Sequence, residues 1–148
     1  MTTTMQQQIS LITLGISDLA RSKRFYGEGF GWKPVFETPG IVFYQMNGLM
    51  LGLWPTPDLE ADMQRPGQRP GLARPGAFAL AHNVATQADV QPLLDRLAAA
   101  GGRMLRVADA PPHGGFRGYV ADPDDHAWEI AWNPDWSIDA DGRVTFGI

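Results

Sequence analysis

The sequence predicts an α+β fold in which two βαβββ modules pair to form a cupped mixed sheet with helices on the outer face. The first observation is a repeat: the order strand, helix, strand, strand, strand occurs twice, and Ile16 aligns with Val84, 68 residues further along. The second observation concerns the burial of apolar surface. A curved sheet with one helix leaves an apolar face open, so neither copy can close a core alone. Pairing buries that face and leaves the concave side of the joined sheet as the natural pocket.

The first module is predicted to span residues 9–54. Residues 9–16 (ISLITLGI) are rich in β-branched and leucine side chains and predict a buried strand. Ser17 and Asp18 can cap the helix that follows, and Gly29 and Gly31 indicate its end. Asn47-Gly48 predicts a two-residue hairpin turn between the last two strands. The three further strands are expected at residues 34–37, 41–46 and 49–54.

Residues 55–76 are predicted to be a linker, because Arg-Pro-Gly triplets are typical of turns and loops. One helical turn is expected within it, at residues 58–63. The second module then covers residues 77–134, and residues 135–148 form a C-terminal tail. The helix of the second module is expected at residues 87–100, with Thr86 as its cap and Gly101-Gly102 as its end. An irregularity is expected near Pro92. The strands of this module are expected at residues 78–84, 104–107, 115–121 and 127–132, with a hairpin turn at residues 122–125.

Composition excludes several functions. The formal net charge is −4 and the pI is near 5.2, so the chain lacks the basic field that holds nucleic acid. It contains no cysteine, which excludes disulfides, thiolate zinc sites, iron–sulfur clusters and a cysteine nucleophile. The polar N-terminus does not resemble a signal peptide, and no apolar run approaches the roughly 20 residues that span a bilayer. We therefore expect a cytoplasmic protein with no membrane partner.

Two segments carry a resemblance to a known family. LITLGISDLARSKRFYGEGFGWKP resembles the opening strand and helix of vicinal oxygen chelate proteins, the glyoxalase/bleomycin resistance protein/dioxygenase type. GYVADPDDHAWEIAWNP resembles the closing hairpin of the same superfamily. The resemblance covers residues 9–134. It implies paired βαβββ modules and a homodimer, with pockets between subunits or modules exchanged between chains.

The resemblance also implies where a metal would be held. Metal-dependent members use ligands on the first and fourth strands of each module, and these positions correspond to Leu11, Gly52, Ala79 and Glu129. Only Glu129 has a side chain that can bind a metal ion, whereas a six-coordinate divalent site needs several oxygen or nitrogen donors. We therefore expect no metal and no other cofactor.

Two residues are candidates for catalysis. Glu129 alternates with Trp128 and Ile130, so it faces the concave pocket if those two pack under the helices. There it can act as a general base or bind a cation; alternatively, it is a pocket carboxylate that only hydrogen-bonds its neighbours. His113 lies in a loop with two glycines that can form one wall of the pocket mouth, although a solvated loop histidine is the simpler interpretation. His82 is expected to be a buried structural histidine.

Ligand-binding candidates come mainly from aromatic side chains near the strands. Arg117 and Tyr119 share one face of their strand, and Arg117 can pair with a ligand carboxylate if that face is the pocket. Otherwise Arg117 is an edge charge. Thr13 either contributes to the pocket face, or its hydroxyl is hydrogen-bonded within the sheet. The remaining candidates are aromatic walls for a planar ligand: Tyr44, Trp54 and Phe116.

These features favour a protein that binds a small aromatic or cationic molecule without a metal. The alternative is a divergent enzyme, a lyase, isomerase or dioxygenase of the family's broad class, with Glu129 as base or as the remnant of a ligand set. A remote third interpretation is an interaction module without a ligand.

Overall fold

The computed structural model describes residues 5–64 and 78–147. Helix α1 begins after Asp18, whose carboxylate accepts a hydrogen bond from the Arg21 amide at 3.1 Å, as the predicted cap requires. The helix continues directly into a π-helical turn, Phe25–Gly29. The elements of the first module are β1 (Leu11–Ile16), α1 (Leu19–Arg24), β2 (Phe36–Glu37), β3 (Val42–Gln45) and β4 (Met50–Pro55).

Helix α2 (Thr56–Asp62) follows β4 without a break, so the predicted helical turn is longer than expected. Most of the predicted linker, residues 65–77, lies outside the described residues. The second module contains β5 (Leu80–Asn83), a 3₁₀ turn (Gln87–Asp89), α3 (Val90–Ala99), β6 (Arg103–Asp109), β7 (Phe116–Ala121) and β8 (Ala127–Trp132). A short antiparallel hairpin, β9 (Ser137–Ile138) and β10 (Val144–Thr145), follows it. None of the helices in the described ranges is long and apolar enough to cross a membrane.

The helix of the second module starts differently from the prediction. The Thr86 hydroxyl donates to the Asp89 carboxylate at 2.7 Å and caps no backbone amide. The irregularity expected near Pro92 occurs just before it, as the 3₁₀ turn that precedes Val90. A proline in the first turn of α3 costs no helical hydrogen bond, which explains why the α-helix begins there.

The two modules have the same sheet topology, and this confirms the α+β fold of paired βαβββ units. The strand orders are β1-β4-β3-β2 and β5-β8-β7-β6. In each, the first strand runs parallel to the fourth and the other pairs are antiparallel. The registers are also equivalent: Gly52 lies between Thr13 and Phe43, and Glu129 lies between Ala81 and Tyr119.

The helix-facing sides of both sheets contribute to one hydrophobic core. In β1, β3, β4, β7 and β8, core side chains alternate with side chains on the other face, as period-two packing requires. An aromatic layer joins the modules, because the ring of Tyr26 lies about 6 Å from the rings of both Tyr44 and Trp128. Residues below 6% exposure from the two sheets include Leu14, Ile16, Leu51, Leu53, Val120, Trp128 and Ile130.

Polar contacts also join the modules. The Tyr26 hydroxyl donates to the buried Asp122 carboxylate at 2.7 Å and accepts from the Trp128 indole N–H at 3.2 Å. Burial and the neighbouring Asp122 raise the pKa of Tyr26, and burial raises the pKa of Asp122. The Asp124 carboxylate accepts from the amide and the hydroxyl of Ser17 at 2.9 and 2.8 Å. The predicted turn at residues 122–125 therefore also anchors the start of α1.

Candidate functional site

The concave face of the second module centres on Glu129. Its strand neighbours Trp128 and Ile130 are in the core, so the half-buried Glu129 faces away from the helices, as the alternation predicts. Across the sheet, Ala81 lies on one side of it and Tyr119 on the other. The carboxylate makes no hydrogen bond or ion pair within the part of the chain that the structure describes. It is therefore available to a ligand.

The concave face of the first module is apolar at the equivalent place. A Cβ atom built on Gly52 would lie 3.0 and 3.2 Å from two ring carbons of Phe43 and 3.5 Å from a methyl group of Leu11. The ring of Phe36 stacks on Phe43 with centroids 5.9 Å apart. Thr13 pairs with Gly52 and lies in the same row as Phe43. The glycine thus forms the floor of an aromatic surface.

The residues present do not fit a divalent metal. Leu11, Gly52 and Ala79 provide no side-chain donor, and the space above Gly52 is occupied by the ring of Phe43. Within residues 5–64 and 78–147, no three His, Asp or Glu side chains come together as a ligand set. Among the four positions that correspond to the family's ligands, only Glu129 carries a side-chain donor, whichever chain contributes each module. One carboxylate is too few donors for a tightly held divalent ion.

A charged cluster lies beside Glu129 on the same face. Arg117 donates to the Asp109 carboxylate, and Arg106 binds the same carboxylate at 2.8 and 3.1 Å. The hydrogen bonds from Arg106, and to a smaller extent the interactions with Arg117, lower the pKa of Asp109. The cluster carries two guanidinium groups and one carboxylate, so it keeps one net positive charge. Arg117, the candidate for pairing with a ligand carboxylate, therefore already pairs with a carboxylate of this chain.

Two aromatic residues expected in the pocket lie elsewhere. Tyr44 is 1% exposed and packs in the core against Tyr26, because it alternates with Phe43 on β3. Burial, and then Glu37, raise the pKa of Tyr44 to about 12. Phe116 packs against the core on the side opposite Arg117, its neighbour on β7. Adjacent strand residues point to opposite faces, so Phe116 and Arg117 cannot both line one pocket.

The other candidates are distributed around the fold. Trp54 is half-buried on β4, two residues after Gly52 and on the same face. His113 is exposed in the turn between β6 and β7, whereas Glu129 pairs with Tyr119 in the middle of β7. The structure therefore does not bring His113 and Glu129 together. His82 faces the helices as predicted, with its ring 5.5 Å from that of Phe30 and 6.2 Å from that of Trp32.

The sequence interpretation missed two contributors. Phe43 alternates with Val42 and Tyr44, and its place opposite Gly52 depends on the register of the β3–β4 hairpin. The Asn47-Gly48 turn could have set that register and so identified the ring above the glycine. Asp109 joins the site through bulges in β6, where the pairing shifts on either side of Arg106. Bulges leave no clear signal in a single sequence.

Comparison with known proteins identifies the family and supports the fold. Residues 8–130 match the family described as Glyoxalase/Bleomycin resistance protein/Dioxygenase superfamily. A glyoxalase-related enzyme from Fulvimarina pelagi is 60% identical, with 97% of this chain and 100% of that chain covered and a TM-score of 0.87. No curated protein matches the chain significantly.

More distant solved structures share the fold. A lactoylglutathione lyase from Agrobacterium tumefaciens is 23% identical over 86% of this chain and 95% of its own, with a TM-score of 0.64. A fosfomycin resistance protein from Listeria monocytogenes is 20% identical over 87% of this chain and 95% of its own, with a TM-score of 0.65. At such identity the likeness concerns the fold alone. The family match and the 60% identical relative together show that this chain belongs to the glyoxalase/bleomycin resistance protein/dioxygenase superfamily.

Proposed function

We propose that this chain binds a small aromatic or cationic molecule in a concave pocket, without a metal. The observation that carries the proposal is the ring of Phe43 above Gly52, which puts an aromatic wall where a metal-dependent relative would present a ligand. Aromatic walls with a few placed polar groups are typical of small-molecule sites. Here Phe36, Phe43 and Trp54 supply the walls, and Glu129 supplies the charge.

We expect the pocket to be completed in a homodimer. The core lies on the helix sides of the sheets, so the concave side of the first module remains open: Leu11 is 43% exposed and Phe36 51%. Leu105 and Val107, on the edge strand β6, are 42% and 63% exposed. Exposed apolar patches are typical of interfaces and binding sites, so we expect these side chains to be covered in the dimer. In sedimentation analysis we expect a species of twice the 16.2 kDa chain mass; a monomer at micromolar concentration would contradict this.

Glu129 is the group that distinguishes a cationic ligand from a neutral one. An ammonium group about 5 Å from the carboxylate gains about 1 kcal/mol when water still screens the pair. An ammonium group over an aromatic face gains about as much again. The neutral analogue of the same shape keeps the apolar contacts and loses the electrostatic part. The proposal therefore predicts selective loss of cation binding when Glu129 is neutralised.

Calorimetry with two probes of matched shape tests this. Phenyltrimethylammonium carries a charge, whereas tert-butylbenzene does not. We expect Glu129→Gln to weaken the cation about fivefold and to leave the neutral probe unchanged. Asp62→Asn is the matched control, because it removes the same charge from exposed α2 and should change neither affinity. Equal losses for both probes in Glu129→Gln would refute the assignment of the pocket.

A second candidate function is proton abstraction by Glu129. The observation that favours it is the half-buried carboxylate beside Tyr119, free of hydrogen bonds to the described residues. Such a carboxylate can act as a general base on a carbon acid. Hydroxyacetone in D₂O is a suitable probe: the enzyme hypothesis expects deuterium incorporation next to its carbonyl, lost in Glu129→Gln. Equal exchange rates with and without the protein would exclude this chemistry for that probe.

A further inference from the structure

A cavity separate from the concave faces lies between the two modules. Its volume is about 210 Å³. Ile12 and Leu51 line it from the first sheet, and these residues alternate with Leu11 and Gly52 of the concave face. Trp128 lines it from the second sheet and alternates with Glu129. The cavity is therefore on the helix side of both sheets, the side opposite to the proposed pocket.

The walls of this inter-module cavity are apolar and aromatic. Trp32 and Trp128 have ring centroids 5.7 Å apart at an interplanar angle of 65°, so the two indoles form adjacent walls. The Trp128 N–H is already used, because it donates to the Tyr26 hydroxyl. The rest of the apolar lining comes from β5 and from the hairpin between β3 and β4: Leu80, Ala81, Met46 and Leu49. The lining includes no Asp, Glu, Lys or Arg side chain, so the cavity offers no partner for an ionic ligand.

His82 is the polar member of the lining. Its ring nitrogens make no hydrogen bond within residues 5–64 and 78–147, although the ring packs against Phe30 and Trp32. Burial lowers the pKa of the His82 imidazole, so the ring is neutral at pH 7. A neutral imidazole has one N–H donor and one nitrogen acceptor. His82 thus supplies a directional, uncharged hydrogen-bonding group to an apolar space.

The size of the cavity limits its occupant. An engineered apolar cavity of about 150 Å³ holds benzene, whereas sites for drug-sized ligands occupy about 300–1,000 Å³. A volume of about 210 Å³ therefore suits one aromatic ring with one or two small substituents. We propose that the inter-module cavity binds a neutral monocyclic phenol, with its ring packed against the indoles of Trp32 and Trp128 and its hydroxyl hydrogen-bonded to His82. This site is independent of Glu129 and of the function proposed above.

Proton NMR of the full chain with p-cresol tests the proposal. We expect saturable binding with a dissociation constant of roughly 0.1–1 mM and nuclear Overhauser effects between the ligand ring and the side chains of Trp32, Trp128 and Ile12. This measurement needs no variant. Contacts to Phe43 or Tyr119 instead, or no saturation up to about 10 mM, would overturn the proposal.

The variant His82→Phe separates the hydrogen bond from the shape of the cavity. It keeps a ring of similar size, so we expect p-cresol to bind about 5- to 10-fold more weakly, while toluene, which has no hydroxyl, binds as before. Glu129→Gln should change neither affinity, whereas His82→Phe should leave phenyltrimethylammonium binding unchanged. The two sites can therefore fail separately. Equal weakening of p-cresol and toluene in His82→Phe would show that His82 only shapes the wall.

Discussion

Removing the hydroxyl of Tyr26 should destabilise the fold much more than its single oxygen suggests. This oxygen joins the modules, because it donates to Asp122 at 2.7 Å and accepts from the Trp128 indole at 3.2 Å. The Tyr26→Phe substitution keeps the ring and its packing, but leaves two partners unsatisfied. An unpaired buried donor or acceptor costs about 1–3 kcal/mol, and more if the group is charged.

We expect a loss of about 3 kcal/mol in the free energy of unfolding. Two orphaned groups at about 1–3 kcal/mol each set the range, and Asp122 offsets part of its share because its other oxygen still accepts from the amides of Asp124 and His126 at 2.9 Å. For a chain of this length, about 3 kcal/mol lowers the melting temperature by roughly 6–12 °C.

Guanidinium unfolding followed by fluorescence and circular dichroism measures this change. Tyr119→Phe is the matched control, since it removes the same atom from the half-exposed concave face and should stay within about 0.5 kcal/mol of the parent chain. If Tyr26→Phe costs less than about 0.5 kcal/mol, the hydroxyl does not hold the modules together, and the reasoning from buried partners is wrong.

Three further predictions follow from the same structure. After incubation with Ni²⁺, Fe²⁺, Zn²⁺ or Mn²⁺ and desalting, elemental analysis should find less than about 0.1 equivalent of each metal; a full equivalent that Glu129→Ala abolishes would mean that ligands were missed. Burial lowers the pKa of the His82 side chain in the folded state. The contribution of His82 to stability is therefore complete above the unfolded pKa of about 6.5 and is lost as the pH falls through the folded pKa. Between about pH 7.5 and 5.5, the free energy of unfolding should therefore fall more for the parent chain than for His82→Phe. Equal losses in the two proteins would contradict this prediction. Gly118→Ala should cost about 2–3 kcal/mol, since its new methyl group would overlap Leu94 and lie 2.6 Å from the Arg106 carbonyl oxygen; Gly40→Ala, with 3.9 Å of clearance, is the near-neutral control.

The sequence determined the order of the elements and the face on which several side chains lie. Turn residues and period-two alternation predicted eight module strands, and pairing of those strands follows the predicted repeat. Alternation was sufficient for Glu129, because Trp128 and Ile130 are large apolar residues and Glu129 is not. It was insufficient for Tyr44: every residue from Ile41 to Tyr44 is apolar or aromatic, so either face of β3 could have been the buried one.

Tertiary structure decided which groups meet across the two modules. Tyr26 and Asp122 are 96 residues apart in the chain, and Trp32 meets His82 and Trp128 only after the sheets pack on the shared core. Likewise, the bulges of β6 place Asp109 between Arg106 and Arg117. Periodicity is a local property set by backbone geometry, so one sequence can reveal it. Contacts between modules depend on how two surfaces fit together, and that fit arises from the packing of all their side chains at once.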